Sequence, residues 1–108
     1  MHTALEDAAL LGVTVTVAAG DNGSSDGGTH IDFPASSPYA LACGGTTLIT
    51  AGGDTISSET VWNDTALGAG ATGGGISSEF LVPEAATAAV PSAPDGVAGR
   101  GVPDVARR

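Results

Sequence analysis

Hydrophobic and polar residues alternate most regularly over residues 13–17, where three valines are separated by two threonines. β-Branched residues at a period of two predict a buried strand. Gly20 ends the pattern, and residues 21–23 (Asp-Asn-Gly) have the composition of a turn, because Asn and Gly tolerate positive φ. The strand is thus predicted to carry Asp21 to the carboxyl edge of a sheet, where α/β proteins collect ligand-binding and catalytic groups. A plain polar turn capped by Asp21 is the simpler interpretation.

A helix is predicted just before this strand, over residues 4–11. Thr3 and Glu6 have the spacing of a capping box, with Thr3 as the N-cap. Gly12 suits the position that follows a helix, because it accepts a left-handed conformation.

Downstream of the strand, the pattern predicts a β-hairpin. Residues 41–50 and 55–62 are strand-like, and Gly52-Gly53-Asp54 is a turn signal between them. A bend or bulge is expected at Gly44-Gly45. The remaining predicted segments are a strand over residues 76–82, weak helix over 83–98, and a strand and turn over 101–106.

The composition bounds the fold. The 108 residues allow one domain at most, and 17 Gly and 6 Pro outnumber the 22 Leu, Ile, Val and Phe residues. A core with so few large side chains is marginal by itself, so the chain has the composition of a piece of a larger, tightly packed α/β protein.

Charge and motif spacing exclude several function classes. The net charge is −9 with no lysine, which argues against a nucleic-acid or anionic membrane partner. No apolar run reaches membrane-spanning length, and the N-terminus does not have the pattern of a signal peptide. The single cysteine permits no internal disulfide, and the two histidines lack metal-ligand spacing.

One short motif offers an alternative chemistry. Residues 23–27 match the G-x-S-x-G nucleophile elbow of α/β-hydrolases, with Ser25 as the nucleophile. That elbow requires a tight strand-turn-helix, whereas Ser25 lies well past the predicted strand end. A helix that begins directly after Ser25 would favour the hydrolase.

Five blocks carry a more specific resemblance, and they follow one another in a fixed order from about Leu5 to Ala106. The blocks are AAGDNGSSDG, IDFPASSPYALACGGTTL, ETVWND, GATGGGIS and GRGVPDVA. In these blocks the chain resembles the sedolisin (kumamolisin-like) family of serine-carboxyl peptidases, which are acid-acting endopeptidases with a subtilisin-like fold. The resemblance implies an α/β fragment with a parallel central sheet, a β-hairpin and Gly-rich loops, in which residues 1–108 form the middle of a catalytic domain.

The resemblance also implies roles for four residues. Asp21 matches the family's oxyanion-hole aspartate, at the position that subtilisins fill with Asn. A carboxyl group donates a hydrogen bond only when protonated, so such a donor acts in acid. Asp32 matches a residue of the pocket for the side chain that precedes the scissile bond. Gly73 and Gly74 belong to a Gly-rich run, residues 67–75, that borders the catalytic face in this family.

Other parts of the family's machinery have no match in the chain. The nucleophilic Ser of a Gly-Thr-Ser-Ala block, the helix with the catalytic Glu and Asp, and the calcium site are all missing, so no cofactor is expected here. The expected partners are a peptide or protein substrate and the remainder of the catalytic domain, in a secreted parent protein. The chain alone is expected to be inactive. The α/β-hydrolase and a non-catalytic, peptidase-like role are the alternatives.

Overall fold

The central element of the fold is an eleven-residue strand, β2, in a computed structural model that describes residues 1–24, 31–81 and 99–107. One helix, five shorter strands and a 3₁₀ turn complete the described part of the chain. The elements are α1 (His2–Leu10), β1 (Val15–Ala18), β2 (Ala40–Thr50), β3 (Ile56–Val61), the 3₁₀ turn Thr65–Leu67, β4 (Gly75–Ile76), β5 (Gly101–Val102) and β6 (Val105–Arg107).

Three strands pair with successive parts of β2. β1 runs parallel to its first residues, from the pair Val15–Ala40 to the pair Ala18–Cys43. β6 runs parallel to the middle of β2, and β3 pairs antiparallel with its last part. β4 and β5 form a separate antiparallel pair. The sheet is therefore mixed: the predicted parallel pairing is confirmed for β1, β2 and β6, and the predicted hairpin is confirmed as β2–β3.

The end of α1 follows its prediction, but its start does not. The N-cap is Met1 and no side chain caps the helix, so Thr3 lies inside it and the predicted capping box is wrong. Gly12 has φ of 75° directly after the C-cap, and its N–H donates to the carbonyl oxygen of Ala9 at 3.1 Å. Gly12 therefore ends the helix as predicted.

The strands also differ from the pattern in detail. β1 begins at Val15, and it is not buried on both faces: its valines are half-buried while Thr16 and Ala18 are exposed. The irregularity of β2 falls between Ile49 and Thr50, whereas Gly44-Gly45 pairs with β6. The predicted strand over 76–82 shrinks to β4. The predicted weak helix over 83–98 lies entirely outside the described residues.

Small side chains form the core. Ala19, Ala35, Ala42 and Val102 pack together, with Val17 and Ile31 against them. Several large apolar side chains stay exposed instead, among them Leu10 and Leu11, each 81% accessible. Exposed apolar surface of this kind is typical of a face that a further element covers. No helix in the described stretches has the length and apolar character to cross a membrane.

Candidate active site

At the carboxyl end of β1, the backbone of residues 19–21 lies very close to Asp32 and to the Gly-rich run. The Ala19 N–H donates to the carbonyl oxygen of Cys43 at 2.8 Å, which extends the β1–β2 pairing by one residue. Gly20 follows with φ of 105°, and a Cβ at this position would lie 2.7 Å from Oδ2 of Asp32. The positive φ favours glycine at this position, and without a Cβ there the Asp32 carboxylate lies against the backbone just after the strand.

The Gly-rich run is held against this strand end by backbone hydrogen bonds. The Gly73 N–H donates to the carbonyl oxygen of Gly20 at 2.8 Å, and the Ala71 N–H donates to that of Asp21 at 2.9 Å. A Cβ on Gly73 would lie 1.9 Å from the Ala19 carbonyl oxygen. The contact thus requires glycine, and it fixes the Asp21 backbone while Asp21 itself stays exposed.

Three of the four predicted site residues line one pocket. The Asp32 pocket is a narrow crevice lined by Asp32, Gly73 and Gly74, and its volume of about 10 Å³ is room for about one water molecule, so a substrate side chain would reach the exposed Asp32 at its mouth. Asp21 does not line it, but its neighbours Gly20 and Asn22 do. The fold therefore brings Asp32 and the two glycines together and leaves Asp21 at the edge of the same pocket. The other lining residues are Ala19, Gly23 and Ile31.

Ser25, the alternative nucleophile, lies outside the described residues. The helix that an α/β-hydrolase elbow requires would begin there too, so that hypothesis stays a prediction. Within the described stretches, no group of three His, Cys, Asp or Glu side chains comes together in a way that could hold a metal ion.

Trp62 is fixed near the Gly-rich run by hydrogen bonds and packing. Its indole Nε1–H donates to Asp64 Oδ2 at 2.7 Å, and its backbone N–H donates to the Gly45 carbonyl oxygen at 3.0 Å. A Cβ on Gly70 would lie 2.9 Å from the indole ring. Trp62 is therefore a half-buried side chain that packs against the Gly-rich run.

Sequence reasoning missed the contacts of Ala71 and Thr72. The Ala71 carbonyl oxygen accepts from the Gly23 N–H at 3.0 Å, and the Ala71 N–H donates to the Asp21 carbonyl oxygen at 2.9 Å. The Thr72 Oγ1 accepts from the Gly45 N–H at 3.0 Å. Neither residue has a distinctive type. The small residues of the Gly-rich run were the one available signal that another backbone approaches closely.

Known proteins are similar to this chain in sequence and in structure, although no protein-family model matches it. Kumamolisin from Bacillus sp. (strain MN-32) is 54% identical over 113 residues, which cover 98% of this chain and 20% of kumamolisin. Sedolisin from Pseudomonas sp. (strain 101) is 44% identical over 82 residues, 65% of this chain and 14% of sedolisin. The chain thus spans about a fifth of the length of one of these curated relatives and about a seventh of the other.

A solved structure agrees with the sequence relatives. Pseudomonas sedolisin, a serine-carboxyl proteinase complexed with two molecules of pseudo-iodotyrostatin, superposes with a TM-score of 0.78 at 32% identity. The match covers 97% of this chain and 31% of the sedolisin chain.

Proposed function

Because the chain belongs to the sedolisin family, we propose that it forms the middle portion of the catalytic domain of a serine-type endopeptidase that cuts peptide or protein substrates in acid. Residues 1–108 contribute an oxyanion donor and part of the substrate cleft. The nucleophilic serine and its Glu-Asp base come from other segments of that domain, as does any calcium site.

One observation carries this proposal: Asp32, Gly73 and Gly74 line a single pocket at the strand end that holds Asp21. Together with Asp21, these residues are spread over more than fifty positions of the sequence, and the resemblance assigns all four to one cleft. Backbone hydrogen bonds from the N–H groups of Gly73 and Ala71 to the carbonyl oxygens of Gly20 and Asp21 hold the two sides of this cleft together.

Asp21 acts as the donor to the developing oxyanion. Peptide-bond hydrolysis by a serine passes through a tetrahedral intermediate whose oxygen needs preorganised hydrogen-bond donors. The Asp21 backbone is held by Ala71, while the residue itself is exposed at the pocket edge. A protonated Asp21 carboxyl group there donates to the oxyanion in acid and loses this ability as it ionises.

Asp32 and the glycines bind the substrate. The Asp32 carboxylate favours a basic side chain before the scissile bond through a charge-assisted hydrogen bond. Gly73 and Gly74 form a wall along which the substrate backbone passes without a side chain in its way. The acidic chain, with net charge −9, suits an extracellular enzyme of acidic surroundings and no nucleic-acid partner.

The proposal is tested by grafting. The aligned segment of kumamolisin is replaced by this chain, and hydrolysis of a peptide library is followed over acid to neutral pH. We expect the grafted enzyme to cut peptides in acid and the 108-residue chain alone to be inactive. A grafted enzyme that folds but cuts nothing would support the non-catalytic alternative. Activity of the chain alone that is lost in Ser25→Ala would support the hydrolase elbow.

A further inference from the structure

A second, larger pocket adjoins the Asp32 pocket. The Trp62 pocket has a volume of about 390 Å³, within the range of about 300–1,000 Å³ that is usual for ligand sites. The two pockets share Gly23, Gly73 and Gly74, so the Gly-rich wall separates them. The other residues that line the Trp62 pocket are Ser24, Val61, Trp62, Asn63, Ala71, Thr72, Gly75 and Pro103.

The lining of the Trp62 pocket is uncharged. Trp62, Val61 and Pro103 supply apolar surface, and none of the described lining residues carries a charge, although the chain as a whole has a net charge of −9. Val61 is 68% accessible at the end of β3. A pocket of this kind favours an apolar side chain and disfavours a charged one, which would lose its hydration without gaining an ion pair.

The apolar wall is also rigid. The hydrogen bond from the indole to Asp64 holds the ring, and the backbone of Trp62 bonds to β2 on one side and to the Gly-rich run on the other: its N–H donates to the Gly45 carbonyl oxygen, and its carbonyl oxygen accepts from the Thr72 N–H at 3.1 Å. A preformed wall orders few side chains when a ligand binds, so most of the apolar burial is available for selectivity.

Asp21 lies at the junction of the two pockets. Its neighbours Gly20 and Asn22 line the Asp32 pocket, and its hydrogen-bond partner Ala71 lines the Trp62 pocket. If Asp21 holds the carbonyl oxygen of the scissile bond, the substrate residues before and after that bond lie on opposite sides of Asp21, one towards each pocket. With the preceding residue at Asp32, the following residue faces Trp62.

We propose that the Trp62 pocket binds the side chain of the residue that follows the scissile bond and selects large apolar side chains there. This inference rests on the proposed peptidase function and deepens it, because it names the substrate preference on the leaving-group side of the same cleft.

The test uses the grafted enzyme with two series of peptides, one that varies only the residue after the scissile bond and one that varies only the residue before it. Trp62→Ala removes a packed anchor and threatens folding, so the informative variant is Val61→Asp, which places a carboxylate at the exposed rim. The matched control is Ile56→Asp, on the same strand, 49% accessible and outside the pocket. We expect the unmodified graft to prefer Leu over Ala after the scissile bond by about tenfold in kcat/KM. In Val61→Asp this preference should fall at least about fivefold and Arg should become favoured, with no such change in Ile56→Asp.

The outcomes separate this inference from the proposed function. An unchanged preference in Val61→Asp, or an equal change in Ile56→Asp, would refute the subsite while the peptidase stands. A change confined to the residue before the scissile bond would assign the pocket to that side instead, and would also refute it. A graft without any activity would count against the proposed function itself.

Discussion

Arg100 and Asp104 form a two-pronged ion pair in which the Arg100 side chain is buried and the Asp104 side chain is 29% accessible: Nη1 and Nη2 of Arg100 donate to the two carboxylate oxygens of Asp104, each at 2.5 Å. Arg100 is only 5% accessible, and its other N–H groups donate to the carbonyl oxygens of Ser37, Ala40 and Gly101. The Asp104 carboxylate accepts one further bond, from the Ala42 N–H at 2.7 Å. The pair therefore joins the turn before β6 to the start of β2 and to the segment that follows Asp32.

Breaking this pair should destabilise the grafted enzyme. We expect Arg100→Met to lower the free energy of unfolding by about 3 kcal/mol, which is the lower end of the range for removing one partner of a buried ion pair. The lower end applies because the Asp104 carboxylate keeps some contact with water. Arg107→Met, at an exposed position of β6, is the control and should change stability by about 0.5 kcal/mol or less. Urea unfolding of both variants measures the difference. Equal stabilities would show that the pair holds nothing in place.

Removing the side chain of Asp21 should slow the chemical step. In the grafted enzyme, Asp21→Ala should lower kcat by about 10²–10³-fold, the usual cost of one oxyanion donor. KM should change little, because the donor acts mainly in the transition state. Steady-state kinetics at acid pH measure both constants, with Asp7→Ala on α1 as a control that leaves them unchanged. A near-parental kcat in Asp21→Ala would reduce Asp21 to a turn residue.

Asp21→Asn separates donation from other roles of the carboxyl group. An amide donates at any pH, whereas a carboxyl group donates only when protonated. We expect the Asn variant to be more active than the Ala variant and to lose activity less steeply as the pH rises towards neutrality. The Glu-Asp base is common to all variants, so the comparison of their pH profiles isolates residue 21. Coincident Asn and Ala profiles would contradict the donor role.

Asp32→Asn should change the preference for the residue before the scissile bond. Loss of the carboxylate should lower the ratio of kcat/KM for Arg over Leu at that residue by about tenfold or more. Asp54→Asn, in the exposed hairpin turn, is the control. A ratio that does not respond to Asp32→Asn would remove Asp32 from the pocket.

Gly73 should not tolerate a side chain. In Gly73→Ala the new Cβ would lie 1.9 Å from the Ala19 carbonyl oxygen, so the Gly-rich wall must move away from β1. We expect at least a tenfold loss in kcat/KM, because a displacement of about 1 Å in a catalytic cleft costs about 10²-fold. Gly45→Ala is the matched control, since its Cβ would meet Trp62 at an ordinary 3.6 Å. Similar kinetics for the two variants would mean that the contact at Gly73 does not position the cleft.

The sequence by itself determined the elements that depend on near neighbours. Alternating valines and threonines specify β1, Gly52-Gly53 supplies two positive-φ residues between β2 and β3, and Gly12 ends α1. Each of these features arises from backbone conformation within a few residues, which residue type controls directly. The family resemblance in turn predicted substrate-binding roles for Asp32, Gly73 and Gly74, and these roles stay predictions, although the three residues lie around one pocket.

Only the tertiary structure decided the contacts between distant segments. The partners of Arg100 lie up to 63 positions away along the chain, and Gly73 meets Ala19 through a backbone contact that no side-chain pattern encodes. The Trp62 pocket exists because the Gly-rich run, the end of β3 and Pro103 meet in space. The start of α1 also escaped prediction, because a local capping signal is worth only about 1 kcal/mol and packing outweighs it. Strand pairing and side-chain burial depend on how distant segments of the chain are arranged in space, and local residue patterns do not specify that arrangement.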